Sequence, residues 1–195
     1  MIRIDNLECY SIVELYYEYS RDDIQGFISS FKCSINEEVE KFLIRNSIDF
    51  TDKHQAITYL IFDKSKEQKS IVAYFTLSIK PINIGRERLS VNSLKKVLRL
   101  SEFNDDEVSI SSAAYLIAQV GKCDGSEANL DLIFEFIDYI IGKVQNACGG
   151  VVEFLESENN DKLIKMYQNK GFKSFNIRKS KSGEDRKLVQ MYRLI

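Results

Sequence analysis

Residues Gly149–Phe172 read GGVVEFLESENNDKLIKMYQNKGF, and what this stretch becomes decides the fold. Val151, Val152, Phe154 and Leu155, with glycines ahead of them, have the pattern of a buried strand. The polar turn SENND follows at 157–161, and beyond it Leu163, Ile164, Met166 and Tyr167 recur at helical spacing. Asn159 or Asn160 suits the helix N-cap, where a side-chain oxygen satisfies an orphan N–H. Gly171 suits the stop, since only glycine enters the left-handed region freely. A strand thus feeds a turn, the turn feeds a helix, and Tyr167 lies in the last turn of that helix. Taken alone, this is a plain βα unit with a half-buried tyrosine.

Working outward, 195 residues suit one domain spanning 1–195, with 44% hydrophobic and 29% charged residues, ordinary for a folded chain. No window reaches the apolar length that crosses a bilayer. The start, MIRIDNLECY, lacks the pattern of a signal peptide, so cytoplasm is the expectation. Cys9, Cys33, Cys123 and Cys148 are scattered, and His54 is the one histidine. That spacing argues against a structural zinc site or a disulfide framework, and free, mostly buried thiols are the simpler expectation. The net charge is −2 and gives no general pull toward nucleic acid. Charge is uneven, however: from Asp161 onward there are ten Lys/Arg against three Asp/Glu, including RKSKSGEDRK at 178–187. Such a run is a solvated hairpin tip or a patch for an anionic partner.

Before this stretch, SIVELYYEYSRDD and IQGFISS (11–30) predict one or two short helices. Ser34 and Glu37 form a capping-box pattern opening a helix whose apolar face is Val39, Phe42, Leu43 and Ile44. His54 falls in a polar loop, where a surface role is the simplest. QAITYLIFD (55–63) and SIVAYFTLSIKPI (70–82) predict an antiparallel hairpin across KSKEQK, with Pro81 closing the second strand. VNSLKKVLRL (91–100) predicts a helix with a basic outer face. VSISSAAYLIAQV (108–120) predicts a long strand, GKCDGSEAN a loop, and LDLIFEFIDYIIGKV (130–144) an apolar helix. Two strands, 173–177 and 187–194, close the chain around a charged turn holding Gly183. Strands alternating with helices late in the chain predict an α/β class, a mixed sheet covered on both faces.

Asn160, Leu163, Tyr167, Gly171 and Phe172 reproduce N-x-x-[A/L]-x-x-x-Y-x-x-x-G-F. This resembles the second half of the acetyl-CoA site in GNAT N-acetyltransferases. The element order resembles the GNAT fold too, from about Phe31 onward: an antiparallel meander, a fourth strand, a long helix, a fifth strand splayed from the fourth, and a C-terminal hairpin. The resemblance implies acetyl-CoA as co-substrate, Asn160 on the pantetheine arm, and Tyr167 as the acid that protonates the departing thiolate.

A CoA thioester asks for backbone N–H groups around its pyrophosphate, a strand edge beside its pantetheine amides, and a donor where charge develops on its carbonyl. The 108–144 segment meets these demands. Gln119, Val120, Gly121 and Lys122 form the strand edge, and Gly125, Ser126, Glu127, Ala128 and Asn129 form the loop before the helix. GNAT enzymes place Q/R-x-x-G-x-G/A here. This chain departs from that pattern with Asp124 and Glu127, whose charges repel pyrophosphate unless they point away.

A neutral amine attacking the thioester needs a base, for which Glu153 and Glu156 are candidates, each equally readable as a solvated strand residue. Phe31-Lys32-Cys33, followed by a helix and the 57–62 strand, is similar to the opening of GNAT toxins that acetylate aminoacyl-tRNA. An Arg commonly stands there where this chain has Gln119, and those proteins are usually basic. A small-molecule, peptide or protein amine is therefore the first-ranked acceptor and aminoacyl-tRNA the second. A catalytically silent GNAT-like module is the third hypothesis. Partners expected are acetyl-CoA and the amine, with a homodimer and tRNA as further candidates, and no metal or membrane.

Overall fold

The computed structural model describes residues 2–4, 6–65, 70–99, 108–179 and 187–195. In chain order these form β1 (Ile2–Ile4), β2 (Leu7–Ser11), α1 (Ile12–Leu15), α2 (Arg21–Ser29), α3 (Glu37–Asp52), β3 (Ile57–Asp63) and β4 (Ser70–Gly85). Then come α4 (Val91–Leu98), β5 (Ser109–Lys122), α5 (Leu130–Cys148), β6 (Val152–Glu158), α6 (Asp161–Asn169), β7 (Lys173–Lys179) and β8 (Lys187–Leu194). The strands form one sheet in the order β1-β2-β3-β4-β5-β6-β8-β7. β5 and β6 are parallel, as the crossover helix α5 requires, whereas β6, β8 and β7 are antiparallel. The parallel ladder joins Tyr115–Ile117 to Glu153–Leu155, while β5 runs on to Lys122 and β6 to Glu158. The expected α/β class with a mixed sheet is what forms.

Two compact units share the chain: 1–78 with 118–143, and 79–117 with 144–195. In the first, Ile12, Leu15, Ile24, Ile28, Leu43 and Ile48 from the helices are buried against Leu60, Phe62 and Tyr74. Each such side chain contributes roughly 1.5–3 kcal/mol by leaving water. Phe31 meets the Tyr74 ring edge-on at 5.3 Å, and the buried Tyr74 hydroxyl donates to the Val39 carbonyl at 2.6 Å. In the second unit, Ile82, Ile84, Val97, Ile110, Ala114, Val152, Phe154 and Tyr192 make the core.

Several expectations are corrected. The first thirty residues hold two strands as well as the two helices: β2 pairs with β3, Cys9 opposite Ile61. Short segments of this kind take their conformation from the partner strand. Helix α3 is capped by Asn36, whose Oδ1 accepts from the N–H groups of Glu38 and Val39 at 3.0 and 3.3 Å, rather than by Ser34. Pro81 does not close β4, which continues to Gly85 and buries Ile82 and Ile84. The β3 ladder ends at Leu77, so beyond it β4 has no β3 partner awaiting an N–H from residue 81. β6 extends into the expected turn because Ser157 and Glu158 pair with Val189 and Leu188. Of the four thiols only Cys9 and Cys33 are buried; Cys148, at the end of α5, is exposed. His54 is exposed and takes a left-handed φ of 52° just past α3. Residues 66–69 of the hairpin turn, Leu100, and the turn holding Gly183 lie outside the described residues.

Candidate active site

The β6–α6 unit forms as the spacing predicts. Asn160 is the N-cap: its Oδ1 accepts from the N–H groups of Lys162 and Leu163 at 3.0 and 3.3 Å. That engages the carbonyl oxygen and leaves Nδ2 as the donor end of the side chain. The helix stops at Gly171, φ +86°, whose N–H donates to the Gln168 carbonyl at 2.9 Å. Phe172 is then buried, its ring edge-on to Tyr167 at 6.2 Å and 4.8 Å from the Arg193 guanidinium carbon. Tyr167 itself is half-buried on a helix none of whose residues is fully buried. A phenol is protonated at neutral pH in any case, and burial pushes this one further above the ordinary tyrosine value.

In the other unit, Gln119 and Val120 are half-buried, Gly121 is buried, and Lys122 is exposed at the end of β5. Gly121 is bare for a packing reason: a Cβ there would lie 2.4 Å from the Tyr74 ring and 2.6 Å from Val39 Cγ1. The loop that follows is closely bonded. Cys123 N–H donates to the Val72 carbonyl at 2.9 Å, Asp124 N–H to Lys32 at 2.8 Å, and Ser126 N–H to Cys123 at 3.1 Å. Ala128 N–H donates to Ser126 Oγ at 3.0 Å, and Asn129 Oδ1 caps α5 through the Leu132 N–H at 2.9 Å. Gly125 turns the chain with φ +70° and is exposed, as is Glu127. Neither has an acceptor for its N–H among the described residues. The Asp124 carboxylate accepts from Ser34 N–H at 3.0 and 3.1 Å and from Ser34 Oγ, which holds its pKa below the usual carboxylate value.

The two candidate bases are counter-ions instead. Glu153 is 1% exposed and accepts from Arg193 Nε at 2.5 Å. Glu156 accepts from Arg178 Nε at 2.6 Å and Gln190 Nε2 at 2.8 Å. A carboxylate held by a guanidinium is a poor proton acceptor.

One feature was not anticipated: a cavity of about 260 Å³ lined by Ile79, Ser112, Tyr115, Cys148, Gly149 and Gly150. Tyr115 donates to the Gly149 carbonyl, and burial first, then Cys148, pushes its phenol up to about 12. A Cβ on Gly150 (φ +109°) would lie 2.8 Å from the Tyr115 oxygen. The signal for it in the sequence was the Gly149-Gly150 pair. None of the residues expected to hold cofactor lines this cavity.

No family model and no curated protein matches the chain. Solved structures do. AtaT complexed with acetyl-methionyl-tRNAfMet is 14% identical, covering 94% of this chain and 93% of its own, with a TM-score of 0.65. A tyrosine-to-phenylalanine mutant of KacT is 15% identical over 95% and 94%, also at 0.65. AtaTR bound with acetyl-CoA is 12% identical over 98% and 94%, at 0.61. At these identities the likeness is one of fold, and it spans nearly the whole of each chain: the protein shares the GNAT-like fold of these structures.

Proposed function

We propose that the chain is an acetyl-CoA-dependent N-acetyltransferase that transfers the acetyl group directly to a primary amine. The observation that carries this is Tyr167, half-buried in the last turn of a helix that starts on Asn160, within a fold shared with a protein solved with acetyl-CoA bound. The backbone of Gln119, Val120, Gly121 and Lys122 would hold the pantetheine amides, and Asn160 Nδ2 is the donor that its own unit offers to a bound ligand. The N–H groups of Gly125 and Glu127, with Ser126, Ala128 and Asn129 shaping the loop, would take the pyrophosphate. The amine attacks the thioester carbonyl, the carbon–sulfur bond breaks, and Tyr167 gives its proton to the sulfur.

Aminoacyl-tRNA is the second acceptor to test, on a specific ground. With Glu153 and Glu156 paired to arginines, a substrate amine that gives up its proton readily without a protein base is favoured. An α-amine, with a pKa of about 7.7–8.0, loses its proton far more readily than a lysine at about 10.4.

Calorimetric titration with acetyl-CoA tests the core of this proposal, since a silent module gives no saturable heat. Tyr167→Phe is expected to lower turnover by about 10²-fold while changing acetyl-CoA binding by no more than about twofold. Equal turnover would remove Tyr167 from the chemistry. Labelled acetyl-CoA with charged tRNA marks RNA only if aminoacyl-tRNA is the acceptor.

A further inference from the structure

The loop between β5 and α5 departs from a glycine-rich phosphate cradle by carrying an acid at position 124, and the geometry shows what that acid does. Its carboxylate accepts from both the N–H and the hydroxyl of Ser34, while its own N–H donates to the Lys32 carbonyl at 2.8 Å. The 32–34 segment is itself fixed. Cys33 is buried, its N–H donates to Glu40 Oε2 of α3 at 2.8 Å, and Lys32 Nζ lies 3.3 Å from Glu40 Oε1. Phe31, one residue earlier, is buried edge-on against Tyr74. An exposed loop is thereby tied through one side chain to the core of its unit.

We infer that Asp124 is a positioning residue for acetyl-CoA: clasped to Ser34, it fixes the 123–128 backbone so that the Gly125 and Glu127 N–H groups are presented to the pyrophosphate. The inference rests on the acetyl-CoA reading of this loop. It also resolves the apparent conflict of an acid in a phosphate loop, because the Asp124 oxygens are directed at Ser34. With exposed partners, the clasp adds little to global stability, so its effect belongs in cofactor binding.

The test uses the full chain with Ser34→Ala, Asp124→Ala, Asp124→Asn and the Ser34→Ala/Asp124→Ala double variant. Each alanine variant is expected to weaken acetyl-CoA binding about 3–10-fold, raising KM with kcat nearly unchanged. The double variant should be no weaker than the worse single, because one interaction is removed in all three. Asn should recover part of the loss, since its Oδ1 still accepts from Ser34 N–H. In the ligand-free protein, hydrogen exchange across 121–129 should rise in the alanine variants at unchanged Tm.

The group's pKa is lowered by Ser34, so the clasp holds above the ordinary carboxylate range and is lost as pH falls through the folded value. Glu40, lowered first by the Cys33 N–H, and Lys32 face the same segment, so the acid limb that belongs to Asp124 is the part lost in Asp124→Asn. Unchanged affinity and exchange in both single variants, or fully additive losses, would overturn the clasp alone. Wild-type protein that binds no acetyl-CoA overturns the acetyltransferase proposal, and the clasp with it.

Discussion

Among the described residues, Glu153 and Arg193 form the most deeply buried charge pair. Their side chains are 2% and 14% exposed, Arg193 also donates to the Lys170 carbonyl at 3.1 Å, and its guanidinium lies over Phe172. Removing one member of a buried pair leaves the other charge without its partner, which costs about 3–5 kcal/mol. Arg193→Ala is therefore expected to lower unfolding stability by about that amount in urea titration. Arg178→Ala, which breaks the more exposed pair with Glu156, should cost about 1 kcal/mol or less. Similar losses from both would refute the difference in burial as the cause.

At the scale of elements, β5 is the strand on which packing and proposed binding meet. Tyr74 is fixed by its bond to the Val39 carbonyl and by the Phe31 ring, so it has no room to yield to a methyl group on Gly121. Gly121→Ala should cost about 1–3 kcal/mol through overpacking, read as a fall in Tm of about 2–4 °C per kcal/mol at this chain length. A Gly121→Ala protein as stable as wild type would mean that the Tyr74 ring moves. How legible each element was follows from where its information lies. β5, α5 and the β6–α6 unit were readable because their apolar runs are long and their caps are local: Asn160 and Gly171 lie within one turn of the helix they bound. β1 and β2 were not, since LECYS becomes a strand only beside Leu60 and Ile61, some fifty residues away. Ser34 matched a capping box, but Asn36 lies closer to the helix start, and the Ser34 hydroxyl is engaged by Asp124, ninety residues on. The alternation of Glu153 and Glu156 marked a strand correctly. Their arginine partners, forty and twenty-two residues later, carried no local signal, and so the carboxylates read as candidate bases.

Across the whole molecule, the net charge of −2 conceals an unequal division. The unit of 1–78 and 118–143 holds 11 Lys/Arg against 18 Asp/Glu, and the unit of 79–117 and 144–195 holds 16 against 11. Within the second unit Lys80, Lys95 and Arg99 are exposed, while the Lys96 ammonium donates to the Ile195 carbonyl. Segregated charge of this kind gives a polyanion one unit to approach and another to avoid. The two acceptor classes therefore separate on ionic strength. Contact with RNA phosphates releases counterions, so transfer to charged tRNA should fall steeply with salt, with a log–log slope of about −0.7 per phosphate contacted. At saturating acetyl-CoA, transfer to a small neutral amine adds no such release and should be nearly flat over the same range. Replacing Lys95 and Arg99 together with alanine should flatten the tRNA slope by about 1.4, two contacts' worth, while leaving the small-amine reaction as it was. If RNA becomes labelled with a slope that these substitutions do not change, the phosphates are met by other cations. If no salt concentration labels RNA, the acceptor is a small molecule, peptide or protein, and the basic unit serves something other than this reaction.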